Sequence, residues 1–283
     1  MVSKKDIIGT YNGTIDLVKN LSISPFSRAY TFSDSIYEVI PFYNRNFFYF
    51  DKHIDRLSNS LNALSIEINI QQVKDELYEL LNRVSYKNGY IYYQISRGTD
   101  PIRNHIHHSD LEAETFGYIL EHDYNTMALN IKIIEDLRWG RCDIKSTSLL
   151  ANVMGMNEAK KENCQEIIMH RDRLITEAGA SNIFFVMDEI ICTPSLSTNI
   201  LPGITREVLI ELVTSEGMEV HEGSFYIDDL AKSKSIWLTS STKCIAPVQK
   251  IVNLDLQLDL NEPIMNKCMS ILEKKFKSSS TNP

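Results

Sequence analysis

Two kinds of pattern alternate in the first hundred residues, and they limit the possible folds more than any other feature of the chain. The segments IYEVIPFY and GYIYYQIS are β-branched and aromatic runs of strand length, bounded by turn-forming residues. Residues 53–64 place leucines at helical spacing, and residues 71–84 repeat this pattern with valines and leucines. We therefore predict an α+β arrangement, in which two amphipathic helices accompany strands.

The second half of the chain continues with mixed elements. ALNIKII and SIWLTSST are strand-like, SNIFFVMDEIICTP predicts a hairpin with Asp188 and Glu189 at its turn, and LPGITREVLIELVTSEG predicts a helix that stops at Gly217. PIMNKCMSILEKKFK predicts a closing helix that begins at Pro263 and ends in lysines. The fold class predicted for the whole chain is α+β or α/β.

A charged, histidine-rich stretch from Gly98 to about Thr126 has no clear periodicity and separates the two halves. A chain of 283 residues is long enough for one large or two medium domains, each with its own core. We predict an N-terminal α+β domain over 1–122, a linker at 123–126 and a C-terminal domain over 127–278.

Composition excludes several classes of protein. With 29 basic against 37 acidic residues, the formal charge is −8, and no basic run interleaved with aromatic residues suggests a nucleic-acid surface. The N-terminal MVSKKDIIGTYNGTIDLV has only short apolar pieces, too few for a signal peptide or a membrane span. Five cysteines without a C-x-x-C pair argue against disulfides and zinc. We expect a cytoplasmic protein that binds small molecules.

Lys145, in the stretch RWGRCDIKSTSLL, stands between an apolar residue and a run of hydroxyls followed by leucines. A buried ammonium is costly without a partner or a chemical use, because desolvation disfavours its charged form. Lys145 is therefore either a salt-bridged surface lysine or the centre of a site.

Three further polar features fall at the ends of apolar segments. They are Glu177 in TEAGASN, the turn GIT at 203–205 before a helix, and TSST at 239–242 after a strand. A helix N-terminus and nearby hydroxyls suit a phosphate, and lysine, carboxylate and phosphate site together are what pyridoxal 5'-phosphate requires. Each feature alone is also typical of an ordinary surface, so spacing alone leaves a globular α/β enzyme or a binding domain open.

The stretch from RWGRCDIKSTSLL to SNIFFV, followed by ILPGITREVLIEL, closely resembles the class IV aminotransferases, which are pyridoxal phosphate enzymes of fold type IV. The resemblance extends from YNGTIDL, at Tyr11, to near the C-terminus. It implies two domains with the cofactor site at their interface. It also implies a homodimer that acts on amino acids and 2-oxo acids.

The resemblance also implies residue roles. Lys145 matches the lysine that forms the Schiff base with the cofactor and moves a proton at the substrate α-carbon, and Glu177 matches the partner of the pyridine nitrogen. The remaining cofactor contacts match Arg56 in HIDRL as a ligand of the phosphate, Leu201 against the ring, and Ile204, Thr205, Ser240 and Ser241 around the phosphate.

Substrate selection depends on QISRGTDPIRNHIHH, in which Arg103 and His105 resemble the pair that binds the substrate α-carboxylate from the neighbouring subunit in D-amino-acid transaminases. Tyr37 matches the tyrosine of that type, and the three side chains suit a carboxylate. Without the resemblance, the same residues predict a polar surface loop, and HIHH a surface cluster or weak metal site. We expect no metal, because these histidines lack a carboxylate or cysteine partner at helix spacing.

The predicted reaction transfers an amino group between a D-alanine-like amino acid and 2-oxoglutarate or pyruvate. The alternatives are a branched-chain L-amino-acid transaminase, a 4-amino-4-deoxychorismate lyase and a non-catalytic binding protein of the same fold. Two segments depart from the family pattern: Ser33 and Ser35 replace the glycines of FGDG, and Ala178 and Ala180 occupy positions with more hydroxyls in D-amino-acid transaminases.

Overall fold

In the computed structural model, which describes residues 6–278, the strands form two sheets that belong to two separate units of the chain. The first unit contains residues 6–123 and 144–148, and the second contains 124–143 and 149–278. Residues 1–5 of the predicted N-terminal domain lie outside the described residues. The segment 144–148, which carries Lys145, belongs to the first unit, whereas the predicted domain 127–278 included it.

The first unit contains one six-stranded antiparallel sheet with the strand order β2-β1-β6-β5-β3-β4. Its strands are β1 (Ile8–Tyr11), β2 (Thr14–Leu17), β3 (Ser35–Tyr43), β4 (Asn46–Phe47), β5 (Gly89–Ser96) and β6 (Glu114–Glu121). Its helices are α1 (Arg28–Phe32), α2 (Phe50–Leu64) and α3 (Ile70–Asn82). The two helices and two strands predicted here are confirmed.

One face of this sheet is apolar and packs on α2 and α3, because buried residues alternate along the strands at period two. Ile36, Ile91 and Ile95 from the sheet join Leu57 and Leu77 from the helices in one buried cluster. The opposite face presents polar and aromatic side chains, among them those of paired β3 and β5.

The second unit contains a nine-stranded mixed sheet with the order β12-β11-β10-β13-β14-β7-β8-β9 and β15 beside β14. Its strands are β7 (Leu129–Glu135), β8 (Glu166–Arg171), β9 (Leu174–Ala178), β10 (Asn182–Met187), β11 (Ile190–Pro194), β12 (Val220–Gly223), β13 (Ser235–Ser240), β14 (Cys244–Ile251) and β15 (Leu256–Gln257). Its helices are α4 (Leu150–Lys161), α5 (Ile204–Ser215), α6 (Ile227–Lys232) and α7 (Pro263–Ser278). Strand pairs β7/β8, β7/β14 and β11/β12 are parallel, and the others are antiparallel.

The predicted hairpin and helices of this unit are confirmed. Asp188 and Glu189 have φ values of 50° and 66° between β10 and β11, the backbone of a tight hairpin turn. Helix α5 ends just before Gly217, whose φ is 74°. Buried Trp237 on β13 stacks on Phe184 of β10 with ring centroids 5.8 Å apart, so the centre of the sheet is filled by aromatic rings.

Strand β6 lies in the stretch that showed no clear periodicity in the sequence. Thr115, Gly117 and Ile119 are buried and alternate with partly exposed residues. A threonine and a glycine carry little hydrophobic signal, so the sequence pattern does not indicate this strand. Among residues 6–278, no helix has the length and apolar composition needed to span a membrane.

Candidate functional site

Lys145 lies in the short segment 144–148, which pairs antiparallel with the start of β3 in the first unit. The Lys145 carbonyl accepts from the Tyr37 N–H at 2.9 Å, and the Thr147 N–H donates to the Ser35 carbonyl at 3.0 Å. On the other side, the Lys145 N–H donates to the Ser60 hydroxyl of α2 at 3.2 Å. The backbone of Lys145 is therefore fixed from both a strand and a helix.

The side chain of Lys145 is half-buried, and its Nζ lies 4.3 Å from the centre of the Tyr37 ring. An ammonium at this distance is attracted by the ring quadrupole. No ion pair or hydrogen bond of this amine occurs within the described part of the chain, 6–278. Of the two interpretations of Lys145, the salt-bridged surface lysine does not describe this geometry.

The Tyr37 ring is the end of a stack that crosses three strands. Tyr37 lies 5.6 Å from Tyr92 with an angle of 24° between the ring planes, and Tyr92 lies 5.2 Å from Tyr118 with an angle of 18°. Burial raises the pKa of the Tyr92 phenol, so this ring stays neutral at physiological pH. The stack fixes the orientation of the ring that contacts Lys145.

The two serines that replace family glycines differ in their surroundings. Ser33 has φ 53°, the left-handed conformation that favours glycine. Ser35 is fully buried in β3, and its hydroxyl lies 2.6 Å from the Thr147 hydroxyl and accepts from the Gln94 amide at 3.1 Å. Thr147 also donates to the Ser33 carbonyl at 3.2 Å. The serines therefore bind the same segment that carries Lys145.

Arg56 lies on α2 in a buried cluster with Glu38 and His53. Its Nε and Nη2 donate to the two Glu38 carboxylate oxygens at 2.7 and 2.8 Å, and His53 Nδ1 lies 2.8 Å from the same carboxylate. Burial alone would raise the pKa of Glu38, but the charge and hydrogen bonds of Arg56 outweigh it and hold this pKa well below its usual range. Burial lowers the pKa of His53, which is therefore neutral at pH 7. Arg56 is thus a fixed buried cation, and its contact with a phosphate stays a prediction.

Glu177 lies at the end of β9 in the second unit and is buried. Its carboxylate accepts from Arg138, from the Asn182 amide at 3.2 Å and from the Leu201 N–H at 3.2 Å. These donors stabilise the ionised form of a carboxylate that is removed from water. Glu177 and Leu201, two predicted site residues, are therefore in direct contact.

Arg138 was not singled out in the sequence, and it organises the surroundings of Glu177. It donates to both Asp136 carboxylate oxygens at 2.9 and 2.8 Å and to the Asn199 carbonyl at 2.9 Å. Burial would lower the pKa of Arg138, but the hydrogen bonds with Asp136 and the charge of Glu177 outweigh burial and raise it. Arg138 thus remains charged and neutralises two buried carboxylates. The only sequence signal was its position two residues after an aspartate at a strand end.

The N-terminus of α5 comes shortly after Leu201 in the chain, and the Leu201 N–H contacts Glu177. The Asn182 amide donates to the Leu201 carbonyl at 2.9 Å, and a Cβ at Gly203 would overlap the Asn182 Oδ1. Gly203 therefore permits the close approach of Asn182, and it cannot cap α5 with a side chain. Ile204 and Thr205 are the first residues of α5 and are buried. The backbone N–H groups and the dipole at a helix N-terminus favour an anion.

Ser240 and Ser241 lie at the carboxyl end of β13 and in the turn that follows. Thr239 pairs with Asn182, so this strand end lies beside the residue that contacts Glu177 and Leu201. The Ser240 hydroxyl accepts from the Lys243 N–H at 3.1 Å. The Lys243 ammonium donates to Glu166 at 2.7 Å and to Ser181 at 3.3 Å. Like Arg138, Lys243 is a cation that no sequence pattern indicates.

Arg103 and His105 lie on the exposed loop between β5 and β6 of the first unit. Both contact Phe32: the Arg103 guanidinium lies 4.5 Å from the ring centre and the His105 ring 5.2 Å from it. Within residues 6–278, no hydrogen bond, ion pair or ring contact joins either residue to Tyr37. A single chain therefore brings Arg103 and His105 together, and Tyr37 lies apart from them beside Lys145.

Comparisons with known proteins agree on one family. The sequence profile of the family described as amino-transferase class IV matches residues 35–251. The D-alanine aminotransferase of Listeria monocytogenes serotype 1/2a (strain 10403S) is 36% identical over 237 residues, which cover 79% of this chain and 80% of that protein. The D-alanine aminotransferase of Bacillus licheniformis is 30% identical over 279 residues, which cover 95% and 97%.

Solved structures share the fold over nearly the whole chain. A branched-chain amino acid aminotransferase from Escherichia coli superposes with a TM-score of 0.88 at 19% identity, covering 97% of this chain and 96% of that one. A second such enzyme, from Thermobaculum terrenum in its PLP-form, has a TM-score of 0.85 at 17% identity and covers 98% and 96%. At this identity the likeness concerns the fold alone. The profile match and the two sequence relatives, taken with the fold-type-IV architecture, mean that this chain belongs to the class IV aminotransferases.

Proposed function

We propose that this aminotransferase transfers amino groups between a D-alanine-like D-amino acid and a 2-oxo acid, 2-oxoglutarate or pyruvate, with pyridoxal 5'-phosphate bound to Lys145. The observation that carries the proposal is the Lys145 amine, which is held beside Tyr37 without an ion pair in the described chain. A lysine kept out of salt bridges is available for covalent chemistry. The choice of a D-amino acid is supported by the D-alanine aminotransferases to which the chain is similar.

The residues present fit this cofactor chemically. The buried Glu177 carboxylate, beside charged Arg138, suits a protonated pyridine nitrogen, and Leu201 would pack against the ring. Arg56 would bind the phosphate, together with the opening residues of α5 and the hydroxyls after β13; these further residues are Ile204, Thr205, Ser240 and Ser241. When bound, pyridoxal phosphate supplies an electron sink that stabilises negative charge at the substrate α-carbon.

The chain's own groups would then divide the work. The Lys145 amine would hold the cofactor and move a proton at the substrate α-carbon as a general acid and base. Arg138 would keep Glu177 ionised, and the ring stack behind Tyr37 would limit where the lysine amine can lie. Arg103 and His105 would bind the substrate α-carboxylate across a homodimer interface, with the Tyr37 hydroxyl as a further donor.

The five cysteines are unpaired, which suits the reducing cytoplasm that we also propose.

The first experiment is the visible absorbance spectrum of the purified protein, recorded before and after addition of D-alanine or L-leucine. The proposal expects a cofactor band that D-alanine converts and L-leucine does not. Conversion by L-leucine alone would favour the branched-chain transaminase. Formation of pyruvate from aminodeoxychorismate without a 2-oxo acid would favour the lyase, and no band after addition of pyridoxal phosphate would favour a binding protein.

Lys145→Ala should abolish turnover, and borohydride reduction of the wild type should attach the cofactor to Lys145, as read by peptide mass spectrometry. The matched control is Lys132→Ala, since Lys132 is bound to Glu158 and Glu162 at the surface. Normal turnover of the Lys145→Ala variant would contradict the site assignment.

The carboxylate trap can be tested by subunit complementation. At a low D-alanine concentration, Lys145→Ala should be inactive, and Arg103→Ala should retain little activity because it binds the substrate weakly. If Arg103 acts on the partner's site, reassociated mixtures should regain about a quarter of wild-type activity, because half of the dimers are mixed and each has one intact site. No regain would mean that Arg103 and Lys145 serve the same chain's site, and full activity of Arg103→Ala alone would mean that Arg103 has no such role.

A further inference from the structure

The loop between β5 and β6 is exposed and irregular, yet a buried cation holds its backbone. Arg28, which is 4% exposed, donates to Asp34 and to Asp100, each at 2.8 Å. The same guanidinium donates to the carbonyls of Asn104 at 2.7 Å and His105 at 3.4 Å. The backbone around His105 is therefore held by hydrogen bonds from Arg28 of α1, although the loop has no regular secondary structure.

The side chains of the loop rest on one aromatic ring. The Phe32 ring centre lies 4.6 Å from the Arg28 guanidinium, 4.5 Å from the Arg103 guanidinium and 5.2 Å from the His105 ring. Arg28 and Phe32 are the two ends of α1, so one short helix supplies both the backbone anchor and the ring.

An exposed arginine normally samples many rotamers, and fixing it costs about 2 kcal/mol of conformational entropy. Arg103 makes no ion pair within the described residues, so its contact with Phe32 is what limits these rotamers. A guanidinium that stacks on a ring leaves its N–H edge, the edge that binds a carboxylate, available to a ligand. Holding it in advance lowers the entropy lost when a ligand binds.

We propose that Phe32 is a positioning residue, which together with Arg28 presents Arg103 and His105 to the substrate α-carboxylate. This inference rests on the proposed function, in which these two side chains form the carboxylate trap. In this proposal Phe32 acts through Arg103 and His105, so its effect is on substrate binding rather than on proton transfer.

The test variant is Phe32→Leu, which removes the ring but keeps an apolar side chain, and Phe32→Tyr is the conservative rescue. The control is Phe47→Leu, which removes a ring from β4 of the same unit. The Phe47 ring stacks on Phe50 and contacts Tyr78, and no loop residue is among these partners. Phe32→Leu should raise KM for D-alanine roughly three- to tenfold with little change in kcat, as expected for loss of a cation–π contact. Phe32→Tyr and Phe47→Leu should leave KM within about twofold of wild type.

Two further measurements separate the outcomes. Deuterium exchange of peptides covering 99–108 should rise in Phe32→Leu and stay unchanged in Phe47→Leu. In an Arg103→Ala background, Phe32→Leu should add little to KM, because the side chain that it positions is gone. An unchanged KM in Phe32→Leu, or the same rise in KM with and without Arg103, would overturn the inference. If the wild type fails to convert D-alanine, the proposed function fails first, while the exchange result still reports whether Phe32 holds the loop.

Discussion

Replacement of Arg138 by methionine gives the sharpest test of the site in the second unit. Arg138, Asp136 and Glu177 have side chains no more than 7% exposed, and the arginine binds both carboxylates. Removing one partner of a buried ion pair leaves an uncompensated charge and costs about 3–5 kcal/mol. Asp136 keeps Arg171, whose Nε is 3.3 Å away, and the Thr176 hydroxyl at 3.0 Å. The uncompensated carboxylate in Arg138→Met is therefore mainly Glu177.

The assay is thermal and urea unfolding followed by far-ultraviolet circular dichroism. Arg138→Met should lower the melting temperature by about 6–20 °C, from the free energy above and the usual scaling for a chain of this size. The matched control is Arg141→Met, because Arg141 pairs with Asp143 at the surface and should change stability little. Adding Glu177→Gln to Arg138→Met should restore part of the loss, since the amide removes the uncompensated charge. Equal losses for Arg138→Met and Arg141→Met, or no recovery in the double variant, would refute the reasoning.

Three shorter predictions concern other residues of the two units. Burial lowers the pKa of His53, so as the pH falls the unfolded chain binds a proton there, near pH 6.5, before the folded chain does. As the pH is lowered from about 7 to about 5, the free energy of unfolding should therefore fall more for the wild type than for His53→Gln. Parallel curves of unfolding free energy against pH would contradict this prediction. Ser33→Gly should stabilise the protein by up to about 1 kcal/mol by relieving a left-handed backbone, whereas Ser35→Gly should cost about 1–2 kcal/mol in lost hydrogen bonds; urea unfolding would show changes of opposite sign. Gly203→Ala should weaken pyridoxal phosphate binding, because its methyl group displaces Asn182, and fluorescence titration with the cofactor would measure this; unchanged affinity would show that Asn182 can move freely.

Local patterns predicted the elements whose signals lie within a few residues. The hairpin turn at Asp188 and Glu189 and the stop at Gly217 follow from backbone preferences of single residues. Strand β6 depends instead on pairing with both β1 and β5, and its threonine and glycine acquire their burial only from those neighbours. Tertiary pairing, rather than propensity, forms this strand.

The family resemblance implies roles for Lys145 and Glu177, which stay predictions, but it does not indicate the groups that hold these two side chains. Ser60 is 85 positions before Lys145, and Arg138 is 39 positions before Glu177. No spacing rule links residues so far apart, because the fold alone brings them together. No local pattern indicated that the segment around Lys145 belongs to the first unit rather than the second, since its pairing with β3 is also a long-range contact.

The aromatic centre of the second sheet has a consequence for spectroscopy. The chain has two tryptophans, and both belong to the second unit: Trp237 is fully buried against Phe184, and Trp139 is 42% exposed. Tryptophan emission excited at long wavelength therefore reports on the second unit, whereas the helices of both units contribute to the dichroism. A denaturant titration followed by both signals would reveal whether the first unit, which contains Lys145, and the second unit, which contains Glu177, unfold in one cooperative transition or one after the other.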